Sequence, residues 1–277
     1  MRSGFFICMK HYKRALTIAG SDPSGGAGIQ ADLKTFSACG CFGTSAIVAV
    51  VDENTVGVTG VHPVPVDFVT GQIKSVLDDI GADAIKIGML HSSELIKAVK
   101  ETLLAYDVTN IVLDPVMVAT SGDNLLQNEA IETLQNELIP FVRVITPNIP
   151  EAEVLLGRKI ESQSDLPKVI KQLSAGGRVS VLLKAGHLTD EKLTDIFYNA
   201  ETEEVIELTS ERVYTKNTHG TGCTFSSAIA AYLAHGLPLN DAVREAKEYM
   251  KSAIVAGAEY EIGKGHGPVH HFFRFWK

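Results

Sequence analysis

Short apolar runs recur along the chain, and most of them end in a glycine-rich or polar turn before a stretch with helical periodicity begins. A short apolar run bounded by turn residues predicts a buried strand. Apolar residues that recur every three or four positions predict an amphipathic helix. The runs that predict buried strands cover residues 14–19, 45–51, 84–89, 111–113, 144–148 and 179–184.

Helical periods separate these runs, beginning with Ile29, Leu33 and Phe36 and ending with a long helix over residues 239–257. Strands that alternate with helices predict βαβ crossovers and a mostly parallel sheet. No linker rich in Pro, Gly and Ser divides the chain, so we predict one α/β domain over residues 13–277. The exceptions to the alternation are a predicted polar-tipped flap at residues 52–61 and predicted antiparallel strands at 195–198, 205–208 and 212–215.

The loop at residues 216–224 carries the strongest chemical signal. Gly220, Thr221 and Gly222 precede Cys223, and a helical pattern begins immediately afterwards. The first N–H groups of a helix have no intrahelical partner, the helix dipole is positive there, and glycines let an anion approach the backbone. This loop therefore predicts a phosphate site. The same positive field would stabilise a thiolate at Cys223, which makes it a candidate base or nucleophile. The alternative is a buried thiol in an ordinary glycine turn.

Acidic residues follow two of the predicted strands. Asp114 ends the strand at 111–113, and Glu151 opens the helix after the run at 144–148. The carboxyl ends of parallel strands are where open α/β sheets bind ligands. We therefore predict that Asp114 and Glu151 hold Mg²⁺ directly or through water. Capping of the following helix is the alternative for Glu151.

Other polar residues are predicted to lie at the same edge. Asp22 belongs to a glycine-rich loop after the first strand, where it either contacts a polar ligand or caps the next helix. Lys184 leaves a buried strand and is suited to a phosphate, and Lys264 lies between two glycines as a candidate nucleotide contact. The early glycines do not match the spacing of a dinucleotide fingerprint, which argues against a nicotinamide-dependent oxidoreductase.

The chain of 277 residues has a formal net charge of −8 without basic clusters. That balance argues against nucleic acid or an anionic membrane as the main partner. The four cysteines do not have the spacing of a metal site, and no apolar run is long enough to span a membrane, so we expect a cytoplasmic protein with reduced thiols. Residues 1–12 are predicted to be a frayed or disordered leader, with Met9 as an alternative start.

Several runs together resemble the hydroxymethylpyrimidine kinase/phosphomethylpyrimidine kinase family of thiamine biosynthesis, within the ribokinase-like superfamily. The runs are residues 19–35, 86–90, 146–148 with 150–152, 216–224, and 263–265 with 267–271. The resemblance implies a three-layer α/β/α fold with a mostly parallel sheet, and a kinase that uses ATP and Mg²⁺. It also implies two successive phosphorylations, of 4-amino-5-hydroxymethyl-2-methylpyrimidine and then of its monophosphate. A homodimer is compatible with the resemblance, since family members are often dimers.

The resemblance also implies roles for individual residues. Cys223 would be the base, with an anion hole formed by the amides of Gly220, Thr221 and Gly222. Asp114 and Glu151 would serve Mg²⁺. The residues that would face ATP are Asn148, Lys184, Thr215 and Lys264, and those that would line the pyrimidine pocket are Gly20, Asp22, Met89 and Val116.

The flap departs from the family pattern at one position. The family usually reads Ala-Gln-Asn-Thr where this chain has Asp52, Glu53, Asn54 and Thr55. Glu53 can accept from an exocyclic amine, but it can donate to a ring nitrogen only when protonated. Pyridoxal kinase activity is the alternative function, because related enzymes with the same cysteine loop accept pyridoxine-type alcohols. A catalytically silent binder of the vitamin precursor is a further alternative, but it would require a damaged transfer site, and the loop, the cysteine and both carboxylates are present.

Overall fold

The computed structural model describes residues 10–117, 128–186, 188 and 191–276. Within those ranges the main sheet has eight strands in the order β10-β9-β8-β7-β6-β5-β1-β2. Its first six strands in chain order are parallel to one another, whereas β9 and β10 form an antiparallel hairpin whose strand β9 pairs antiparallel with β8. The strands of this sheet are β1 (Arg14–Ala19), β2 (Phe42–Ile47), β5 (Ala84–Ile87), β6 (Ile111–Leu113), β7 (Val144–Ile145), β8 (Ser180–Leu183), β9 (Lys192–Asn199) and β10 (Glu204–Glu211). The flap is a separate antiparallel pair, β3 (Ala49–Asn54) and β4 (Gly57–Pro63).

Helices cover both faces of the sheet, which gives the three-layer α/β/α arrangement that the family resemblance implies. One apolar core lies between the sheet and α1 (Gly28–Ala38), α7 (Thr221–Ala234) and α8 (Leu239–Gly257). The other core lies between the opposite face and α2 (Val66–Asp79), α3 (Ser93–Leu103), α4 (Asn128–Thr133), α5 (Ile149–Leu156) and α6 (Leu166–Leu173). Alternate strand residues join different cores: Val112 faces the first core, and Ile111 and Leu113 face the second.

Several predicted strands differ in extent from those of the structure. The runs at 84–89 and 144–148 end earlier, at Ile87 and Ile145. The apolar run at 45–51 divides between β2 and β3, because the chain leaves the main sheet at Val48, whose N–H donates to the Ala19 carbonyl at 3.0 Å. Residues 212–215 do not continue a strand. Glu211 pairs with Lys192, which is the first residue of β9. Strand β10 ends there because β9 offers no further residue for it to pair with.

The parallel strands bring their carboxyl ends to one edge of the sheet. The segments that follow β1, β6, β7 and β8 carry Asp22, Asp114, Asn148 and Lys184 to that edge, and an isolated bridge joins Asn148 to Lys184. The flap follows β2 on the same side. No helix within the described ranges is long and apolar enough to cross a membrane. The predicted leader lies outside the described residues up to position 9, and β1 begins at Arg14.

Candidate active site

A cavity of about 690 Å³ lies at the carboxyl edge of the sheet, between the two glycine-rich loops and beneath the flap. It contains most of the site residues that the sequence predicts. Those in its lining are Gly20, Asp22, Glu53, Met89, Asp114, Val116, Asn148, Glu151, Lys184, Gly220, Thr221, Gly222 and Cys223. Thr215 and Lys264 do not belong to the lining.

The loop before α7 presents the start of that helix to the cavity. Gly220 has a φ of 73°, and a Cβ atom on it would overlap the carbonyl oxygen of Gly26. Only glycine combines that backbone conformation with so close an approach. A Cβ on Gly222 would lie 3.3 Å from both the Asp114 carboxylate and the Lys184 ammonium. The Thr221 N–H, one of the predicted anion-hole amides, already donates to the Thr218 carbonyl at 3.3 Å. The start of the helix lies beside a buried cation, which is an arrangement suited to a phosphate.

Cys223 is half-buried at the third position of α7. Burial raises the pKa of its thiol to about 12, and the charges of Asp32 and Asp114 act in the same direction. The Lys86 ammonium and a hydrogen bond from the Gly28 backbone oppose that rise without cancelling it. The predicted stabilised thiolate is therefore wrong for the protein without ligands, because desolvation outweighs the helix field. The Cys223 side chain therefore lines the cavity as a neutral thiol at pH 7.

Asp114 and Lys184 form a buried ion pair with 2.9 Å between Lys184 Nζ and Asp114 Oδ1. The Thr146 hydroxyl donates to the same carboxylate oxygen at 3.1 Å. Burial alone would raise the pKa of Asp114, but Lys184, Lys86 and these hydrogen bonds hold it below its ordinary value. Asp114 is therefore an anion at neutral pH, and its Oδ2 lies toward the start of α7.

Glu151 caps its own helix, as the alternative interpretation of the sequence allowed. The Asn148 N–H donates to Glu151 Oε2 at 2.8 Å, and the Glu151 N–H donates to Asn148 Oδ1 at 2.9 Å. This is a reciprocal capping box. Burial raises the pKa of Glu151 to about 7, the charge of Asp114 adds to the rise, and Lys184 opposes it. Because Glu151 Oε1 takes no part in the capping box, the cap leaves this oxygen available to a cation.

Asp22 organises the first glycine-rich loop and does not cap α1, whose N-cap residue is Ala27. Its carboxylate accepts from the backbone and hydroxyl of Ser24, from the N–H groups of Gly26 and Ala27, and from His219 Nε2 at 2.9 Å. These bonds hold the pKa of Asp22 well below its ordinary value although burial alone would raise it. A carboxylate with so many donors is an anchor for the loop.

His219 joins that anchor to the flap. Its Nε2 lies 3.8 Å from Glu53 Oε1 in addition to its contact with Asp22. Burial alone would lower the pKa of His219, but its bond to Asp22 and the charge of Glu53 raise it above the ordinary value. Burial raises the pKa of Glu53, and the charge of Asp22 adds to that rise. Asp22, Glu53 and His219 hold donor atoms within 4.8 Å of one another, but hydrogen bonds already occupy the Asp22 oxygens.

Comparison with known proteins identifies the family. The family model for phosphomethylpyrimidine kinase matches residues 22–270. The hydroxymethylpyrimidine/phosphomethylpyrimidine kinase of Rhizobium meliloti (strain 1021) is 47% identical over 264 residues, which are 95% of this chain and 98% of that protein. The protein of the same name from Escherichia coli (strain K12) is 48% identical over 263 residues, with the same coverage. The chain belongs to the phosphomethylpyrimidine kinase family. It is a phosphotransferase.

Solved structures of this fold are similar over most of the chain. The pyridoxal kinase from Staphylococcus aureus in complex with ADP superposes with a TM-score of 0.87 at 37% identity, over 96% of each chain. The phosphomethylpyrimidine kinase from Clostridium difficile 630 superposes with a TM-score of 0.75 at 44% identity, over 87% of this chain and 99% of that one. The ribokinase-like fold that the resemblance implies is thereby confirmed.

Two residues that the family resemblance assigned to ATP lie elsewhere in the structure. The Thr215 hydroxyl accepts from the Asn217 N–H at 3.1 Å and so shapes the turn before the glycine loop. Lys264 is exposed, and its backbone N–H donates to the Thr55 hydroxyl at the flap tip. Neither belongs to the cavity lining of this phosphomethylpyrimidine kinase family member.

Two buried polar pairs at the site were missed from the sequence. His219 contacts Asp22 across 197 positions of chain, and its only signal was its place inside the glycine loop. Lys86, which belongs to the cavity lining, pairs with Asp32 at 2.9 Å, and both side chains are fully buried. A lone lysine in the apolar strand β5 was the available signal, because a buried lysine is almost always paired.

Proposed function

We propose that this kinase uses ATP to phosphorylate the hydroxymethyl group of 4-amino-5-hydroxymethyl-2-methylpyrimidine and then phosphorylates the monophosphate to the diphosphate. The observation that carries the proposal is the meeting of the α7 N-terminus, the Asp114–Lys184 pair and the flap around one cavity. Near full-length identity to kinases named for both pyrimidines supports this substrate. Structures of related kinases with ADP or with AMP-PCP support ATP as the phosphoryl donor.

The proposed phosphate end of the cavity consists of the loop 220–223, Asp114, Glu151 and Lys184. Phosphoryl transfer needs alignment of the two oxygens and neutralisation of charge more than covalent help. The N–H groups at the start of α7 would hold the transferred group, and Lys184 would balance its charge. Asp114 and Glu151 would hold Mg²⁺, which when bound neutralises charge on the phosphates. Their fit is supported by the chemistry of the donor set, two buried carboxylates that both interact with Lys184.

Cys223 is the proposed acceptor of the substrate proton. The substrate oxygen forms a bond to the γ-phosphorus, the bond from that phosphorus to the ADP oxygen breaks, and the hydroxyl proton passes to the thiolate form of Cys223. A thiol with a pKa raised to about 12 is neutral at pH 7, so a reaction through the thiolate draws on a minor fraction of the enzyme. Catalysis by Cys223 is therefore expected to increase as the pH rises.

The proposed alcohol end consists of Gly20, Asp22, Glu53, Met89, Val116 and His219. Glu53 is the residue expected to distinguish between alcohols, because it replaces the amide that the family usually carries. Burial raises its pKa above the ordinary value of a glutamate, and only the protonated form can donate to a ring nitrogen. Protonation would therefore restore part of what a glutamine supplies.

Pyridoxal kinase activity is the second candidate. It is favoured by the similarity of the fold to the pyridoxal kinase from Staphylococcus aureus in complex with pyridoxal, with a TM-score of 0.85 at 37% identity. A coupled assay of ADP release with the pyrimidine alcohol, its monophosphate and pyridoxal tests both candidates. We expect turnover with both pyrimidines. A kcat/KM that is higher for pyridoxal than for either pyrimidine would contradict the proposal. A homodimer and a cytoplasmic location remain predictions.

A further inference from the structure

Residues 263–267, here called the strap, contact the tip of the flap through main-chain groups. The N–H groups of Lys264 and Gly265 both donate to the Thr55 hydroxyl oxygen, each at 3.1 Å. The His266 N–H donates to the Thr55 carbonyl at 2.8 Å. One flap residue thus accepts three hydrogen bonds from three successive residues of the strap.

The other end of the strap is joined to the loop that forms the phosphate site. The His219 N–H donates to the Gly267 carbonyl at 3.0 Å, and an isolated bridge pairs His219 with Pro268. The Asn217 side-chain amide donates to the carbonyls of Gly257 and Tyr260, at 2.7 Å each. The strap therefore connects the flap tip to the glycine loop that carries His219.

The alternating glycines of the strap follow from these contacts. A Cβ on Gly263 would overlap the Thr55 hydroxyl, and one on Gly265 would overlap the Thr55 carbonyl. A Cβ on Gly267 would overlap the side-chain oxygen of Asn217. Each glycine permits a backbone approach that a side chain would prevent. Close packing on the flap and on the glycine loop thus explains the pattern without any nucleotide contact by Lys264.

Glu53 lies two residues before Thr55, on the strand that leads to the flap tip. The flap contacts the glycine loop directly, because Glu53 lies close to His219. A second connection runs through the strap, which bonds to Thr55 at one end and to His219 at the other. We propose that the strap holds the flap closed over the alcohol and that Thr55 is a positioning residue, which acts on the substrate through Glu53. This inference rests on the proposed function in taking Glu53 to face the alcohol.

Thr55→Val tests the inference, because valine keeps the shape of threonine and removes the acceptor of two hydrogen bonds. Thr55→Ser is the matched control that keeps the hydroxyl. We expect amide hydrogen exchange in residues 49–63 to accelerate about tenfold in Thr55→Val. The KM for the alcohol should rise by a similar factor, whereas the KM for ATP should stay within twofold. Thr55→Ser should resemble the wild type in all three measurements.

Gly265→Ala is a second probe, with Gly60→Ala in the flap as its control. The added methyl at position 265 would overlap Thr55, whereas at position 60 it would meet Asp52 at an ordinary 3.5 Å. Gly265→Ala should reproduce the effects of Thr55→Val, and Gly60→Ala should not.

Unchanged exchange in both Thr55→Val and Gly265→Ala would overturn the role of the strap. Faster exchange with an unchanged KM for the alcohol would overturn the positioning role of Thr55. The exchange measurement needs no substrate, so it tests whether the strap holds the flap even if the wild type does not phosphorylate the pyrimidine. In that case the KM comparison uses pyridoxal, and the coupled assay of ADP release shows the failure of the proposed function independently of the exchange result.

Discussion

The two ends of the cavity differ in how they are supported. At the phosphate end, Asp114 and Lys184 follow β6 and β8, the two strands on either side of β7 in the buried sheet, and pair with each other. At the alcohol end, Glu53 belongs to a two-stranded flap with exposed residues on alternate positions. A side chain held by a packed sheet is positioned more rigidly than one on a small separate hairpin. We therefore expect the phosphoryl transfer, which is common to all substrates, to be performed at the rigid end.

The two ends also differ in charge. The phosphate end contains Lys184 with two carboxylates whose pKa values are shifted in opposite directions, downward for Asp114 and upward for Glu151. The alcohol end contains one imidazole between Asp22 and Glu53. Substitutions at the phosphate end should therefore lower turnover for every alcohol, whereas those at the alcohol end should change which alcohol is preferred.

Cys223→Ala is expected to have the largest effect at the phosphate end. Loss of a general base typically lowers kcat by about 10²- to 10⁴-fold, and the KM for the alcohol should change little. Steady-state kinetics with the pyrimidine alcohol and with pyridoxal would measure both constants. Cys39→Ala is the control, because Cys39 is buried in the core outside the cavity lining. Near-normal turnover of Cys223→Ala would show that the thiol is not the base.

Lys184→Met should have the next largest effect. Removal of the ammonium leaves the buried Asp114 carboxylate unpaired and removes the cation beside the α7 N-terminus. We expect kcat/KM to fall by about 10²-fold for both alcohols. The melting temperature should also fall. Lys159→Met is a surface control, because the Lys159 side chain is 84% exposed. A loss confined to one alcohol would contradict the division between the two ends.

The sequence predicted the phosphate end better than the alcohol end, and the reason is geometric. Residues that follow parallel strands reach one edge whatever the details of the helices, so Asp114, Asn148 and Lys184 could be brought together from strand pattern alone. The contact of His219 with Asp22 spans 197 positions and belongs to no such regularity. The rise in the pKa of Cys223 on burial could not be predicted either, because the sequence alone does not show how far the thiol is removed from water.

For the fold as well, the sequence pattern predicted the regular elements better than the places where the chain leaves them. Periodicity predicted the layers and helices such as α8, whose bounds agree with the prediction. It did not reveal that the run at 45–51 leaves the main sheet, since an apolar run has the same pattern on both sides of that point. Thr215 was assigned by resemblance alone and Lys264 also by its place between two glycines, and the structure places both outside the cavity lining.

Glu53→Gln should lower the rate less than Cys223→Ala or Lys184→Met, and it should change the preference between the pyrimidine alcohol and pyridoxal. The substitution restores the amide that the family usually carries, which can donate and accept at any pH. We expect the ratio of kcat/KM for the pyrimidine alcohol to that for pyridoxal to change by about tenfold. Asp52→Asn is the matched control, because Asp52 neighbours Glu53 and is exposed. An unchanged ratio would remove Glu53 from the alcohol end.

The smallest expected effect is on stability, and it concerns the contact between the alcohol end and the glycine loop. The pKa of His219 is raised in the folded protein by Asp22 and Glu53, despite the opposing effect of burial. A raised pKa stabilises the fold fully below the unfolded pKa of about 6.5, and the contribution is lost as the pH rises through the folded value. His219→Gln lacks this contribution. The difference in unfolding free energy between wild type and His219→Gln, from urea titrations at several pH values, should therefore be largest near pH 6 and decrease toward pH 9. If that difference in unfolding free energy were the same at every pH, the Asp22–His219 contact would stabilise the protein without a change in the charge of His219.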